Sequence, residues 1–284
     1  MSEVLVYTTY ARAATARTLL AAACQATGLS ARLELYGTGS LYQRLGPRHA
    51  PPLPDVVLWF GAIAAQAAAL DGLLQPYQPP RLAPAAAHHA NWHWTALDYL
   101  TMGTVGTPAL ASLADVLAIP SLAVPDPERS EVGLSMLLAM LDRARQVDGD
   151  VERGWTWWQQ RARSGLALVE EDAEAVSSVA DGATTHALTL ADNGTPLVGL
   201  APLPNAVSLA ASSRNLDAAR QLLDWLTGEA AASSLRLSPW DAERNGLQAL
   251  LAAGPQLDVE WARQHYTATR KRWSQSGFGP SVKV

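Results

Sequence analysis

Near the start of the chain, three stretches of small, polar or aromatic residues stand where an apolar run gives way to a helical pattern. They are Thr8-Thr9-Tyr10 after Val4-Leu5-Val6-Tyr7, Gly37-Thr38-Gly39-Ser40 after Leu33 and Leu35, and Trp59-Phe60-Gly61 after Val56-Val57-Leu58. Small residues at such a handover leave backbone N–H groups and the positive end of a helix dipole open to a ligand. Ser40 and Ser130 stand at helix starts, where a hydroxyl serves equally as an ordinary N-cap. The carboxylates Glu170, Glu171, Asp172 and Asp192 can hold a cation, or can stabilise the first turn of the helix that follows. Trp59 and Tyr10 can wall an ammonium group through their ring faces.

Catalytic patterns are missing. There is no Gly-x-Ser-x-Gly elbow, no Walker loop and no His-Glu-x-x-His helix, and Gly37-Thr38-Gly39 lacks the rest of a dinucleotide fingerprint. The chain therefore reads as a binder, not an enzyme, with no cofactor and no metal. His88, His89 and His93 form the one histidine cluster, beside Trp92 and Trp94. Imidazoles bind Zn(II) or Cu(II), and His89 and His93 stand four apart, but the stretch does not read as a helix and holds no carboxylate, so it reads as a solvated loop. Cys24 is the single cysteine, which excludes an intrachain disulfide and reads as a small hydrophobe on the buried face of the first helix.

The elements that position these residues alternate in type. Residues 11–27 read as a helix stopped by Gly28, followed by a half-buried strand around Leu33 and Leu35. Residues 55–60 are a continuous apolar run suited to a parallel strand covered on both faces. Such alternation predicts βαβ units. A Pro- and Ala-rich loop follows, and then helices over 130–145 and over 151–163, the latter with Trp155, Trp157 and Trp158. At 284 residues and 49% hydrophobic, the chain can bury two modest cores. A net charge of −5, with Lys271 and Lys283 the only lysines, argues against nucleic acid and against a basic membrane patch. No apolar run reaches the roughly 20 residues needed to span a bilayer.

Several stretches taken in order resemble the family 1 bacterial extracellular solute-binding proteins of ABC importers, the ferric, phosphonate and thiamine type. They are Val4-Leu5-Val6-Tyr7-Thr8-Thr9, Pro54-Asp55-Val56-Val57-Leu58-Trp59, Trp94-Thr95-Ala96-Leu97-Asp98-Tyr99, Val124-Pro125-Asp126-Pro127 with Ser130 and Gly133, Gly154-Trp155-Thr156-Trp157-Trp158, and Asn205-Ala206-Val207-Ser208-Leu209. The resemblance implies an α/β, two-lobed periplasmic-binding-protein-like fold of type II with mainly parallel sheets and a double hinge. Residues 1–98 would open lobe 1, 99–205 would form lobe 2, and 206–284 would return to lobe 1 and carry the C-terminal helices.

Carried over by position, the ligand residues would be Thr8, Thr9, Tyr10, Thr38, Gly39, Ser40, Trp59, Phe60 and Gly61 from one lobe. The other lobe would supply Ser130, Glu171, Asp172 and Asp192. The partners implied are a small-molecule solute held by hinge closure and an ABC permease in the membrane, with the protein a monomer. The location implied is periplasmic or extracellular, with the export signal or lipoprotein anchor outside this sequence. The ferric branch uses paired tyrosines and a histidine; Ala11 stands where the histidine would fall and Thr189-Leu190-Ala191-Asp192 near the tyrosine positions. A zwitterion such as an aminophosphonate, or a cationic organic solute, is therefore expected over iron. A ligand-sensing receptor module and an enzyme on the same fold are the alternatives.

Overall fold

The computed structural model describes residues 3–46, 51–110, 113–190, 195–196, 202–235, 238–243, 247–252 and 257–277. The elements run β1 (Val4–Thr9), α1 (Ala13–Thr27), β2 (Ala31–Tyr36), α2 (Thr38–Leu45), β3 (Val56–Gly61), α3 (Ala62–Leu70), β4 (Leu74–Gln75), β5 (Thr95–Leu100) and β6 (Met102–Gly106). Then come α4 (Leu113–Ala118), β7 (Leu122–Pro125), α5 (Glu131–Asp148), α6 (Val151–Arg163), β8 (Leu166–Val169), α7 (Asp172–Ala180), β9 (His186–Leu190) and β10 (Thr195–Pro196). Last are β11 (Leu203–Ala210), α8 (Leu216–Thr227), α9 (Glu229–Ala232), α10 (Leu247–Ala252) and α11 (Val259–Gln275). The chain divides into two compact units, Met1–Tyr99 with Leu203–Ala249, and Leu100–Pro202 with Leu250–Val284.

In the first unit the sheet order is β2-β1-β3-β11-β4, with β5 paired to β11. β1 runs parallel to β2 and β3, whereas β11 runs antiparallel to β3 and β4. β1 and β3 are buried throughout, as continuous apolar runs require, and the edge strand β2 is half-buried. α1 ends at Gly28, whose φ of 73° places it in the left-handed region a C-cap uses. Its buried stripe of Ala16, Leu19, Leu20 and Ala23 joins Leu222, Leu223 and Leu226 of α8 over Val4, Val6, Val56 and Leu58. Each fully buried Leu or Val there contributes about 1.5–3 kcal/mol. Cys24 lies beside this stripe and is only half-buried, which corrects the expectation of a buried position. Asp55 fastens the strand starts: its carboxylate accepts from the Leu5 amide at 2.9 Å and from the Ser213 hydroxyl at 2.7 Å.

The second unit's sheet has the order β10-β6-β9-β7-β8. β7 is parallel to β8 and β9, while β6 is antiparallel to β9 and β10. Both sheets are therefore mixed, and the expectation of mainly parallel sheets holds only for their βαβ parts. The antiparallel partners include β6 and β11, the strands on which the chain enters the second unit and returns to the first. α5 is capped by Ser130 and α6 by Asp150, each accepting from backbone amides of the first turn. Trp155 and Trp158 of α6 are buried in the core, and Trp157 is half-buried.

After β11 the chain stays in the first unit to Ala249, and the residues from Leu250 onward, with the last helix, belong to the second unit. The reason is α11. Its Trp273 ring meets Trp158 edge-on at 5.3 Å and its indole N–H donates to Asp126 Oδ1 at 3.0 Å. Arg272 grips Glu152 of α6 with two hydrogen bonds of 2.6 and 2.7 Å. Among the described residues no helix is long and apolar enough to cross a membrane.

Candidate functional site

In the first unit the parallel strands β1, β2 and β3 end at one edge, with Thr9 in register with Tyr36. Thr8 is buried and its hydroxyl donates to the Leu58 carbonyl at 2.8 Å, so it ties β1 to β3. Thr9 precedes a 3-10 turn over Tyr10–Arg12 without capping it through its side chain, and Tyr10 is 53% exposed. α2 starts at Thr38 with Gly37 as N-cap, so Ser40 lies within the first turn and is not the cap. The side chains of Thr38 and Ser40 fall outside the described set. Gly61 caps α3, and neither α2 nor α3 receives a side-chain cap bond. The first amides of each helix lack intrahelical acceptors, so both entrances carry N–H donors and positive dipole ends.

An aromatic group that the sequence reading missed lines this edge. Tyr7 and Tyr36 have ring centroids 4.7 Å apart, Arg44 lies over Tyr36 at 4.5 Å, and Tyr42 faces Phe60 at 6.2 Å. The phenols donate to carboxylates, Tyr36 to Glu34 and Tyr42 to Asp71, each at 2.5 Å. Burial, followed by the bond to Glu34, holds the Tyr36 phenol well above the ordinary tyrosine range. Tyr36 stands directly before Gly37, and that placement at a strand end is the signal that could have found it.

Trp59 is 1% exposed and packs among Val4, Val6, Leu19 and Leu97. That corrects its reading as an aromatic wall: the ring belongs to the core. Its backbone has φ of 52°, and it is the extra residue of a bulge, since Phe60 and Leu58 oppose the consecutive Ala206 and Val207. A non-glycine residue in the left-handed region costs about 1–2 kcal/mol. Its indole N–H is buried without an acceptor. Trp59→Phe removes that orphaned donor while leaving a small gap, so the expected stability change is below about 1.5 kcal/mol. Affinity for any solute that stabilises the parent protein should stay within about twofold, since the ring does not reach solvent. Denaturant unfolding and binding titrations on the variant check both.

In the second unit β7 and β8 end together, Pro125 opposite Val169. Ser130 sits at the α5 entrance, where its hydroxyl oxygen accepts from the Val132 and Gly133 amides at 3.1 and 3.3 Å. The same hydroxyl donates to Asp172 Oδ1 at 2.7 Å, across 42 residues of sequence. Asp172 is the first residue of α7, and Glu171 is its exposed N-cap. Ser130 is thus a cap, and the protein's own carboxylate is bound to it at the helix entrance where an anion would otherwise bind. Asp126, Glu128, Glu170, Glu171, Asp172 and Glu174 gather at this edge, and Arg129 is paired to Glu170. Gly133 permits the close packing, because a Cβ there would lie 2.1 Å from the Pro125 carbonyl oxygen. Asp192 lies outside the described residues.

No protein-family model and no curated protein matches the chain. Solved structures do. The chain is similar to the periplasmic binding protein P5PA, with a TM-score of 0.79 at 13% identity over 97% of this chain and 99% of that one. It is similar to the apo ferric ion-binding protein A of Pasteurella haemolytica, with a TM-score of 0.74 at 16% identity over 100% of both chains. A periplasmic thiamin binding protein gives 0.71 at 17% identity over 96% of each. At these identities the likeness shows the fold: the chain has the two-lobed, type II periplasmic-binding-protein fold.

Proposed function

We propose that this chain is the substrate-binding component of an ABC import system and captures a small polar organic solute bearing a cationic group. An aminophosphonate-like zwitterion or an organic cation fits best, and ferric ion does not. The reading includes a periplasmic or extracellular location, a membrane permease as partner, a monomeric state and no catalysis. Full-length likeness to binding proteins supports the role.

The observation that carries the ligand class is the Ser130–Asp172 pair. A carboxylate bound to the α5 cap, with further acidic residues beside it, disfavours an anion at the second unit's edge and favours an ammonium group. The first unit's edge has the opposite character, since the uncapped entrances of α2 and α3 offer donors to a phosphonate or carboxylate. A zwitterion carries a group suited to each kind of edge taken by itself, an ammonium for the one and a phosphonate or carboxylate for the other. Iron is disfavoured because the ferric branch of the family resembled holds Fe(III) with paired tyrosine phenolates, whereas Tyr36 and Tyr42 donate their hydroxyl protons to carboxylates.

Asp172→Asn tests the reading while keeping an oxygen that accepts from Ser130. Binding of amine-bearing solutes, screened as amino acids, aminomethylphosphonate and thiamine by calorimetry, is expected to weaken about fivefold or more, roughly 1 kcal/mol. Unchanged affinity for every solute that binds the parent, or parent binding confined to anions without an amine, contradicts it.

A further inference from the structure

The histidine cluster is more ordered than a solvated loop. Residues 87–96 form a hairpin closed by the Ala96 amide on the Ala87 carbonyl at 2.7 Å and the His89 amide on the Trp94 carbonyl at 3.0 Å. The Trp92 amide returns to the His89 carbonyl at 2.9 Å to make the turn, and Trp92 takes a φ of 61°. The Tyr77 amide donates to the Trp92 carbonyl at 2.8 Å, and the Trp94 indole donates to Gln66 at 2.9 Å. This frame brings His89 and His93 side by side, rings at 82° and Nδ1 atoms 3.1 Å apart.

We propose that His89 and His93 form a two-histidine site for a borderline divalent transition-metal ion, with Cu(II) bound most tightly. With metal–nitrogen bonds of about 2.0–2.1 Å, donors at this separation subtend roughly 95–102° at the ion, between the square-planar and tetrahedral angles. Nitrogen ligands of this kind follow the order that places Cu(II) above Ni(II) and Zn(II). The Asn91 amide donates to His89 Nδ1 at 3.1 Å, which assigns His89 as the acceptor and His93 as the Nδ1–H donor of the pair. Binding then needs His93 to move its proton to Nε2, a tautomer change that releases no proton. The exposed Asn91 amide exchanges His89 for water. Among the described residues no set of three His, Cys, Asp or Glu side chains is placed to hold an ion, so water completes the coordination.

The test is a Cu(II) titration of the full chain in a non-coordinating buffer, followed by tryptophan fluorescence, since Trp92 stacks on His88 at 3.9 Å. Saturable quenching at one equivalent is expected. His89→Gln and His93→Gln should each weaken it about tenfold or more, and His88→Gln less than about threefold. Circular dichroism and thermal unfolding of each variant confirm that the fold is kept. Zn(II) should compete for the same site, and acid should release the metal, because the ligand nitrogens must be unprotonated to bind it. No saturable quenching by the parent, or an affinity like the parent's in either Gln variant of the pair, overturns the proposal.

Discussion

Trp273→Ala is expected to lower the stability of the second unit by about 3–5 kcal/mol. The indole is 1% exposed, lies edge-on to the fully buried Trp158, and donates to the buried Asp126. Truncation opens a cavity the size of a ring system and removes one of the donors to Asp126 Oδ1, leaving it the Glu128 amide at 3.0 Å. Because α11 belongs to the second unit, the loss should appear in that unit's urea transition and leave the first unit's midpoint in place. Trp273→Phe keeps much of the packing but not the hydrogen bond, and should cost about 1.5–3 kcal/mol. An Ala variant that unfolds like the parent would show that α11 does not hold the unit together.

Gly133→Ala is expected to cost about 3 kcal/mol, the upper end for overpacking, because the atom its methyl group would strike belongs to the backbone. The Pro125 oxygen at 2.1 Å and carbon at 2.8 Å cannot rotate away as a side chain would. The α5 entrance must shift, and Ser130 with it, away from Asp172. For a unit of this size the melting temperature should fall by about 6–12 °C. Gly149→Ala is the control: its φ is 69° but its Cβ meets open space, so only about 1 kcal/mol of backbone strain is expected. A Gly133→Ala variant as stable as the Gly149→Ala variant contradicts the packing described for the α5 entrance.

Much of the fold was legible because local physics decides it. The 151–163 helix has the predicted bounds, set by Asp150 before the periodic run and by its first-turn acid and last-turn arginines. The buried run Val56–Gly61 marked a strand covered on both faces. Features decided by distant partners were not legible. A Trp before Phe and Gly at a strand end reads the same whether its ring faces a ligand or the core, and nothing in the spacing signals the bulge that turns Trp59 inward. Asp172 was visible as a first-turn acid, but its bond to Ser130 depends on strands β7 and β8 ending together. α11 carries its buried Trp261, Tyr266 and Trp273 without any local mark of the unit that receives them.

The central claim is that the protein holds a small solute with a cationic group. Native mass spectrometry of freshly purified protein tests it most directly, with the adduct released by denaturation and identified by its fragments. The expected result is a one-to-one complex with an amine-bearing or otherwise cationic organic molecule. Added back at a hundredfold excess over its dissociation constant, that molecule should stabilise the protein by about 2.7 kcal/mol. An adduct of ferric ion, or of an oxyanion without any cationic group, would contradict the account, as would a preparation that no amine-bearing solute stabilises.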